Sequence, residues 1–260
     1  MSERSGELNL KRRQLLLGVS AIGAGTVFAG CAMPQNSSSG ARNDEPRKEG
    51  DESDEAAGIE VTATEDLMRE HGILRRILLV YSETAMKLKQ DAASVPTDEL
   101  EKAAQLFRVF GEDYHEKKLE EAYIFPSLRQ AQGPASSYVD VLMSQHLRGR
   151  EITDYILSVT KGDKIPTASV EEFVKALESM VRMYEHHAAI EDTIIFPAWK
   201  AAIGDRRLDE FGAKFEEIET ESFGGDGFET VQKRISEIEQ NLGLSNLDMF
   251  TAPPLSAKKT

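Results

Sequence analysis

Residues 115–126 read HEKKLEEAYIFP and residues 186–197 read HHAAIEDTIIFP. Each sets histidine ahead of an acidic pair, Glu120-Glu121 or Glu191-Asp192, and closes on Ile-Phe-Pro. Two further stretches match each other, Leu67-Met68-Arg69-Glu70-His71 and Leu142-Met143-Ser144-Gln145-His146. The order along the chain is LMxxH, H…EE…IFP, LMxxH, HH…ED…IFP, so one helical hairpin is written twice.

The residues around these motifs have helical periodicity. Leu67, His71, Leu74, Leu78, Tyr81 and Ala85 follow a 4-3-4-3-4 spacing, which is one continuous face. Thr64 is the expected N-cap of a helix over 65–89, and Thr97 of a second over 98–128. Gln132-Gly133-Pro134 breaks the second helix. A third is predicted over 136–160 and a fourth over 169–202, ended by Gly204. Strand signals are absent. The expected fold is all-α: an up-down-up-down four-helix bundle over 61–204 with an additional C-terminal helical hairpin over 205–245. The hairpin segments, 207–221 and 227–242, flank Gly224-Gly225-Asp226-Gly227. Their apolar stripe, with Phe211, Phe215, Phe228, Val231 and Ile235, fits packing on the bundle or a dimer contact, and the oligomeric state stays open. Residues 246–260 read as a disordered tail.

Residues 1–60 have a different character. Arg12-Arg13-Gln14-Leu15-Leu16 precedes a mildly apolar Gly/Ala stretch and resembles a twin-arginine (Tat) export signal over 1–30. Phe28-Ala29-Gly30-Cys31 resembles a bacterial lipobox, with Phe28 where leucine is usual. That resemblance makes Cys31 the lipidation site, with an uncleaved N-terminal anchor as the alternative. Both put the domain on the periplasmic side of the cell envelope. Residues 31–60, rich in Ser, Asn, Asp and Glu, read as a flexible acidic tether.

Charge and cysteine content exclude several functions. The 260-residue chain has 31 basic and 45 acidic residues, a net charge of −14. So acidic a chain is not expected to track phosphates, so nucleic acid is no partner. Anionic lipid repels it too, so membrane attachment would come from the lipid anchor alone. One cysteine rules out a disulfide scaffold, a zinc ribbon and a CxxC site.

The five histidines, His71, His115, His146, His186 and His187, recur at matched places on the four predicted helices. An imidazole on an apolar face is desolvated and needs a partner. A single one would most simply be a hydrogen-bonded core residue; the matched set points to a metal. His187 and Glu191 stand at i and i+4, on one face and one turn apart. Several imidazoles with two carboxylates suit iron, and less specifically zinc, manganese or copper. His115 and Glu120 are five residues apart, about 140° in a regular α-helix. A π-bulge between them would restore the facing. Glu112, in an Glu-x-x-His pair with His115, and Glu116 are the alternatives.

Taken together, EDLMREHGILRRIL, EDYHEKKLEEAYIFP and HHAAIEDTIIFP resemble the hemerythrin family, more closely the bacterial hemerythrin-like (HHE cation-binding) domain proteins. The resemblance covers about residues 62–203. It implies a four-helix bundle around two non-haem iron ions, bridged by two carboxylates and an oxygen species. One iron would take His71 and His115, the other His146 and His187, with Glu120 and Glu191 as bridges. The open position would accept dioxygen, nitric oxide or peroxide. Oxygen-carrying members have a second histidine one turn after the helix-three histidine. Here that position is Arg150, which cannot ligate. Water, Glu116 or His186 would fill the gap, Gly149 would leave space nearby, and Arg150 would attract an anionic ligand.

The sequence leans towards a ligand-binding protein in a carrier, scavenger or sensing role rather than an enzyme. One alternative is a carboxylate di-iron oxidase or peroxidase. That architecture uses two Glu-x-x-His pairs, and only Glu112-x-x-His115 occurs. The other is a metal-free helical adaptor of the envelope.

Overall fold

The computed structural model describes residues 61–254. The expected export signal with Cys31, the expected tether and residues 255–260 lie outside the described residues.

The described chain is helical, with no strand. Helix α1 is Ala63–Gln90. Its N-cap is Thr62, two residues earlier than expected. The Thr62 hydroxyl accepts from Glu65 N, and the Glu65 carboxylate accepts from Thr62 N at 2.8 Å. This reciprocal capping box satisfies two orphan donors, which Thr64 with Leu67 three residues on could not do. The whole expected stripe, Leu67 to Ala85, is buried.

Helix α2 is continuous but wound in two ways: α-helical over Thr97–Leu106, π-helical over Phe107–Ile124, α-helical again over Phe125–Ala131. It starts one residue before the expected span, after Pro96, with no side-chain cap. Gln132 ends it in the left-handed conformation at φ 52°. A 3-10 turn, Pro134–Tyr138, leads into helix α3, Val139–Thr160. Helix α4 runs through Val170–Ile190, a π-helical turn Glu191–Ile195, and Phe196–Ile203. Each of the four helices packs against the next in the chain, and α4 closes the ring against α1.

Helices α5, Asp205–Phe223, and α6, Gly227–Asn241, form the accessory hairpin. It packs on the bundle. Trp199, fully buried, stacks on Phe215 at 5.9 Å between ring centroids and meets Phe211 at 5.3 Å. Arg76 of α1 makes a two-pronged pair with Glu239 of α6. No helix among the described residues is long and apolar enough to cross a membrane.

The supposed tail departs from expectation. Leu247–Phe250 form a 3-10 turn, with Asn246 accepting from Asp248 N at 3.0 Å.

Candidate metal centre

The π-helical stretch of α2 decides the site. Its wide i→i+5 ladder brings positions five apart towards one face, so His115 and Glu120 both point inward. His115 Nε2 lies 3.4 Å from Glu120 Oε1. On α4, His187 Nε2 lies 3.0 Å from Glu191 Oε2. The extra residue between histidine and glutamate in the first hairpin is absorbed by winding.

His71 from α1 meets His115, and His146 from α3 meets His187. The facing Nε2 atoms are 3.0 Å apart in the first pair and 3.1 Å in the second. The two glutamates span the pairs. Glu120 turns Oε1 to His115 and Oε2, at 3.4 Å, to His146. Glu191 Oε2 lies 3.5 Å from His71 and 3.0 Å from His187. All six side chains are buried.

The outer nitrogens show which protons these rings carry. His71 Nδ1 donates to Asp192 at 2.7 Å, and His146 Nδ1 to Glu121 at 2.9 Å. His115 Nδ1 donates to Glu70 at 2.6 Å, and His187 Nδ1 to the Gln145 side-chain oxygen at 2.8 Å. A neutral imidazole with a proton on Nδ1 has its lone pair on Nε2. Four Nε2 atoms therefore converge. Neither oxygen of Glu120 or of Glu191 receives a hydrogen bond among the described residues. Buried carboxylates left like this are costly unless cations accompany them. A donor set of four imidazole nitrogens and two bridging carboxylates fits two transition-metal ions.

Electrostatics keeps three of the four rings neutral and sets His115 apart. Burial lowers His71 to about 3 and His187 to about 4, and also lowers His146. Burial opposes a charge on His115 as well, but Glu120 and Glu70 raise it well above the ordinary range. Burial lifts Glu191 to about 8 and raises Glu120. Against burial, His146 and Arg150 hold Glu121 down at about 2, and His71 and Arg75 keep Asp192 low. The outer carboxylates are thus anions that accept from Nδ1, and the inner groups compete for protons that a metal ion would displace.

The other expected residues are placed differently. Glu112 points away, accepting from Thr153 at 2.6 Å and pairing with Arg108 at 2.8 Å. The i, i+3 spacing shares a face with His115 only in an α-helix, and here the backbone is π-wound. His186 is exposed and fills no gap, because one residue along the helix turns it about 100° from His187. Glu116 is buried beside the centre, with Oε2 3.9 Å from His146 Nδ1. Arg150 points at carboxylates, donating to Glu116 at 3.1 Å and to Glu121. The space over Gly149 is taken by Tyr184, whose hydroxyl would lie 2.0 Å from a Cβ built there. That hydroxyl donates to Glu116 at 2.7 Å.

Sequence reasoning missed the outer ring: Glu70, Asp192, Glu121 and Gln145. The signal was the repeat itself. Glu70 and Gln145 each precede the first-helix histidine, and Glu121 and Asp192 each follow the bridging glutamate. Arg150 has a counterpart too. Arg75 stands four residues after His71 and pairs with Asp192, as Arg150 stands four after His146 and pairs with Glu121. Phe196 lies against His71 and Phe125 against His146, at 5.3 and 5.5 Å between ring centroids.

A cavity of about 10 Å³ adjoins the centre, room for one water-sized molecule. Leu74, Leu78 and Ala188 give it an apolar side, and Tyr184 and Glu116 border it with the ligand set.

A helical bundle whose four helices each send histidine or histidine and glutamate into one buried cluster is a cation-binding bundle. The chain belongs to the hemerythrin HHE cation-binding domain family, whose model matches residues 62–199. Uncharacterised proteins of Mycobacterium bovis and Mycobacterium tuberculosis are 37% identical over 242 residues, covering 92% of this chain and 90% of theirs. No solved structure matches the chain.

Proposed function

We propose that this chain is a non-haem di-iron protein of the cell envelope that binds a small ligand such as dioxygen, nitric oxide or peroxide. The observation that carries the reading is the convergence of four imidazole Nε2 atoms on two buried glutamates whose oxygens receive no hydrogen bond among the described residues. His71 and His115 would hold one ion, His146 and His187 the other, with Glu120 and Glu191 shared. Iron bound there would supply one-electron redox chemistry.

The chain's own residues set the conditions for a ligand. Leu74, Leu78 and Ala188 keep the adjoining cavity apolar and small, which suits a diatomic molecule over a hydrated anion. Asp192, Glu70, Glu121 and Gln145 fix the tautomers of the four rings by accepting from Nδ1. The envelope location rests on Arg12-Arg13 and the Cys31 sequence alone.

Turnover of peroxide is a second reading, favoured by one arrangement. Tyr184 and Glu116, hydrogen-bonded to each other, border the cavity and can hold a proton beside a bound ligand. This reading predicts steady-state disproportionation of hydrogen peroxide to water and dioxygen that slows in Tyr184→Phe, whereas a carrier would show binding alone.

The test is metal analysis and optical spectroscopy of protein purified anaerobically, then exposed to air, azide or nitric oxide. Two irons per chain and ligand-sensitive charge-transfer bands are expected. A chain without iron whose helicity is unchanged by chelation would leave a metal-free envelope adaptor.

A further inference from the structure

The two halves of the centre are built to one plan, and they differ at one outer contact. In both, the first-helix histidine donates from Nδ1 to a carboxylate that also pairs with an arginine: His71 to Asp192 with Arg75, and His146 to Glu121 with Arg150. The second-helix histidines part ways. His115 donates to the Glu70 carboxylate at 2.6 Å, which the Tyr114 hydroxyl holds from the other side at 3.0 Å. His187 donates to the amide oxygen of Gln145 at 2.8 Å. Glu70 and Gln145 occupy equivalent places, each directly before its first-helix histidine.

A carboxylate accepting from Nδ1 draws that proton away and makes Nε2 a stronger donor to a metal; a neutral amide does so far less. Glu116 does not restore the balance. It reaches neither His187 nor any Nδ1 within hydrogen-bond distance, and Tyr184 and Arg150 tie it down.

We infer that the two cation positions are unequal and fill in order: the first ion binds at His71 and His115, the second at His146 and His187, with Glu70 against Gln145 setting the difference. The inference rests on the metal-binding reading above. It makes Glu70 a positioning residue that acts through His115. A half-loaded protein has a defined form, with its one ion in the first hairpin's histidines.

The test is equilibrium titration of the metal-free 260-residue chain with cobalt(II), which binds imidazole and carboxylate sites and does not oxidise in air under these conditions. Two uptake steps are expected. His187→Ala should bind one ion at the affinity of the wild-type first step, and His115→Ala should bind its one ion about tenfold more weakly or worse, the range for loss of such outer contacts. Glu70→Gln should weaken the first step about tenfold and leave the second. Gln145→Glu should tighten the second step. Circular dichroism checks that each variant is folded, and if Glu70→Gln is not, Gln145→Glu carries the test. Equal affinities in His115→Ala and His187→Ala, or equal effects of Glu70→Gln on both steps, would overturn the inference while leaving a metal protein. No uptake by the wild-type chain would overturn the metal reading and this inference with it.

Discussion

His71 and His115 face each other with their Nε2 atoms 3.0 Å apart, and each has its Nδ1 fixed by a carboxylate from another helix. Two ring nitrogens from α1 and α2 this close share a cation, a proton from His115 in the metal-free chain or a metal ion in its place. His146 and His187 repeat the arrangement at 3.1 Å. A metal ion bound there would displace such protons, so metal loading is coupled to stability.

That coupling gives the first prediction. His146→Ala should lose at least one of two bound ions, and its thermal midpoint should become less sensitive to a chelator than that of the wild type. A buried histidine with only a structural role would cost core stability and leave the response to chelator unchanged. Metal analysis with paired melts, with and without chelator, separates the two.

Gly149 gives the second. A Cβ there meets the Tyr184 hydroxyl at 2.0 Å and its ring at 2.8 Å. Gly149→Ala must push Tyr184 away and break its bond to Glu116. Overpacking of this kind costs about 1–3 kcal/mol. The unfolding free energy should fall by that amount, lowering the denaturation midpoint, and the optical response to azide or nitric oxide should shift because Tyr184 borders the cavity. An unchanged midpoint and spectrum would mean that Tyr184 has room to spare.

What the sequence revealed follows from what periodicity can encode. The spacing of Leu67, His71, Leu74 and Leu78 places His71 inside the bundle whatever its partners are. The repeat then pairs Glu120 with Glu191, and the five-residue gap after His115 requires the wider winding seen over Phe107–Ile124. Partners across helices are not encoded this way. Nothing in the local pattern of Glu70 says that it reaches His115 on α2 rather than an exposed lysine. Arg150, which cannot ligate, is half of a matched pair with Arg75, with Glu121 and Asp192 each lying between an arginine and a histidine.

The accessory hairpin supplies a third prediction. Phe215 is buried and stacks on Trp199. Trp199 lies in the last segment of α4, Phe196–Ile203, so the hairpin covers the C-terminal part of the helix that carries Glu191. Phe215→Ala should destabilise the protein by about 3 kcal/mol. It should also raise the fluorescence response of Trp199, the one tryptophan, to a soluble quencher. A hairpin held only loosely on the bundle would show neither.

Glu112 provides a pH-dependent test outside the ligand set. Burial raises its carboxyl to about 7 against an ordinary value near 4.5, although Thr153 and Arg108 pull the other way. In the unfolded chain the group loses its proton at the ordinary value, so between the two the folded state binds more protons. The stabilisation is complete below the unfolded value and is lost as pH rises through about 7. Glu112→Gln cannot ionise, so the difference in unfolding free energy between variant and wild type should change with pH across this window, by on the order of 3 kcal/mol at most. Denaturant titrations of both proteins at pH 5 and pH 8 check it. A constant difference would mean that Arg108, 2.8 Å away, keeps Glu112 ionised throughout.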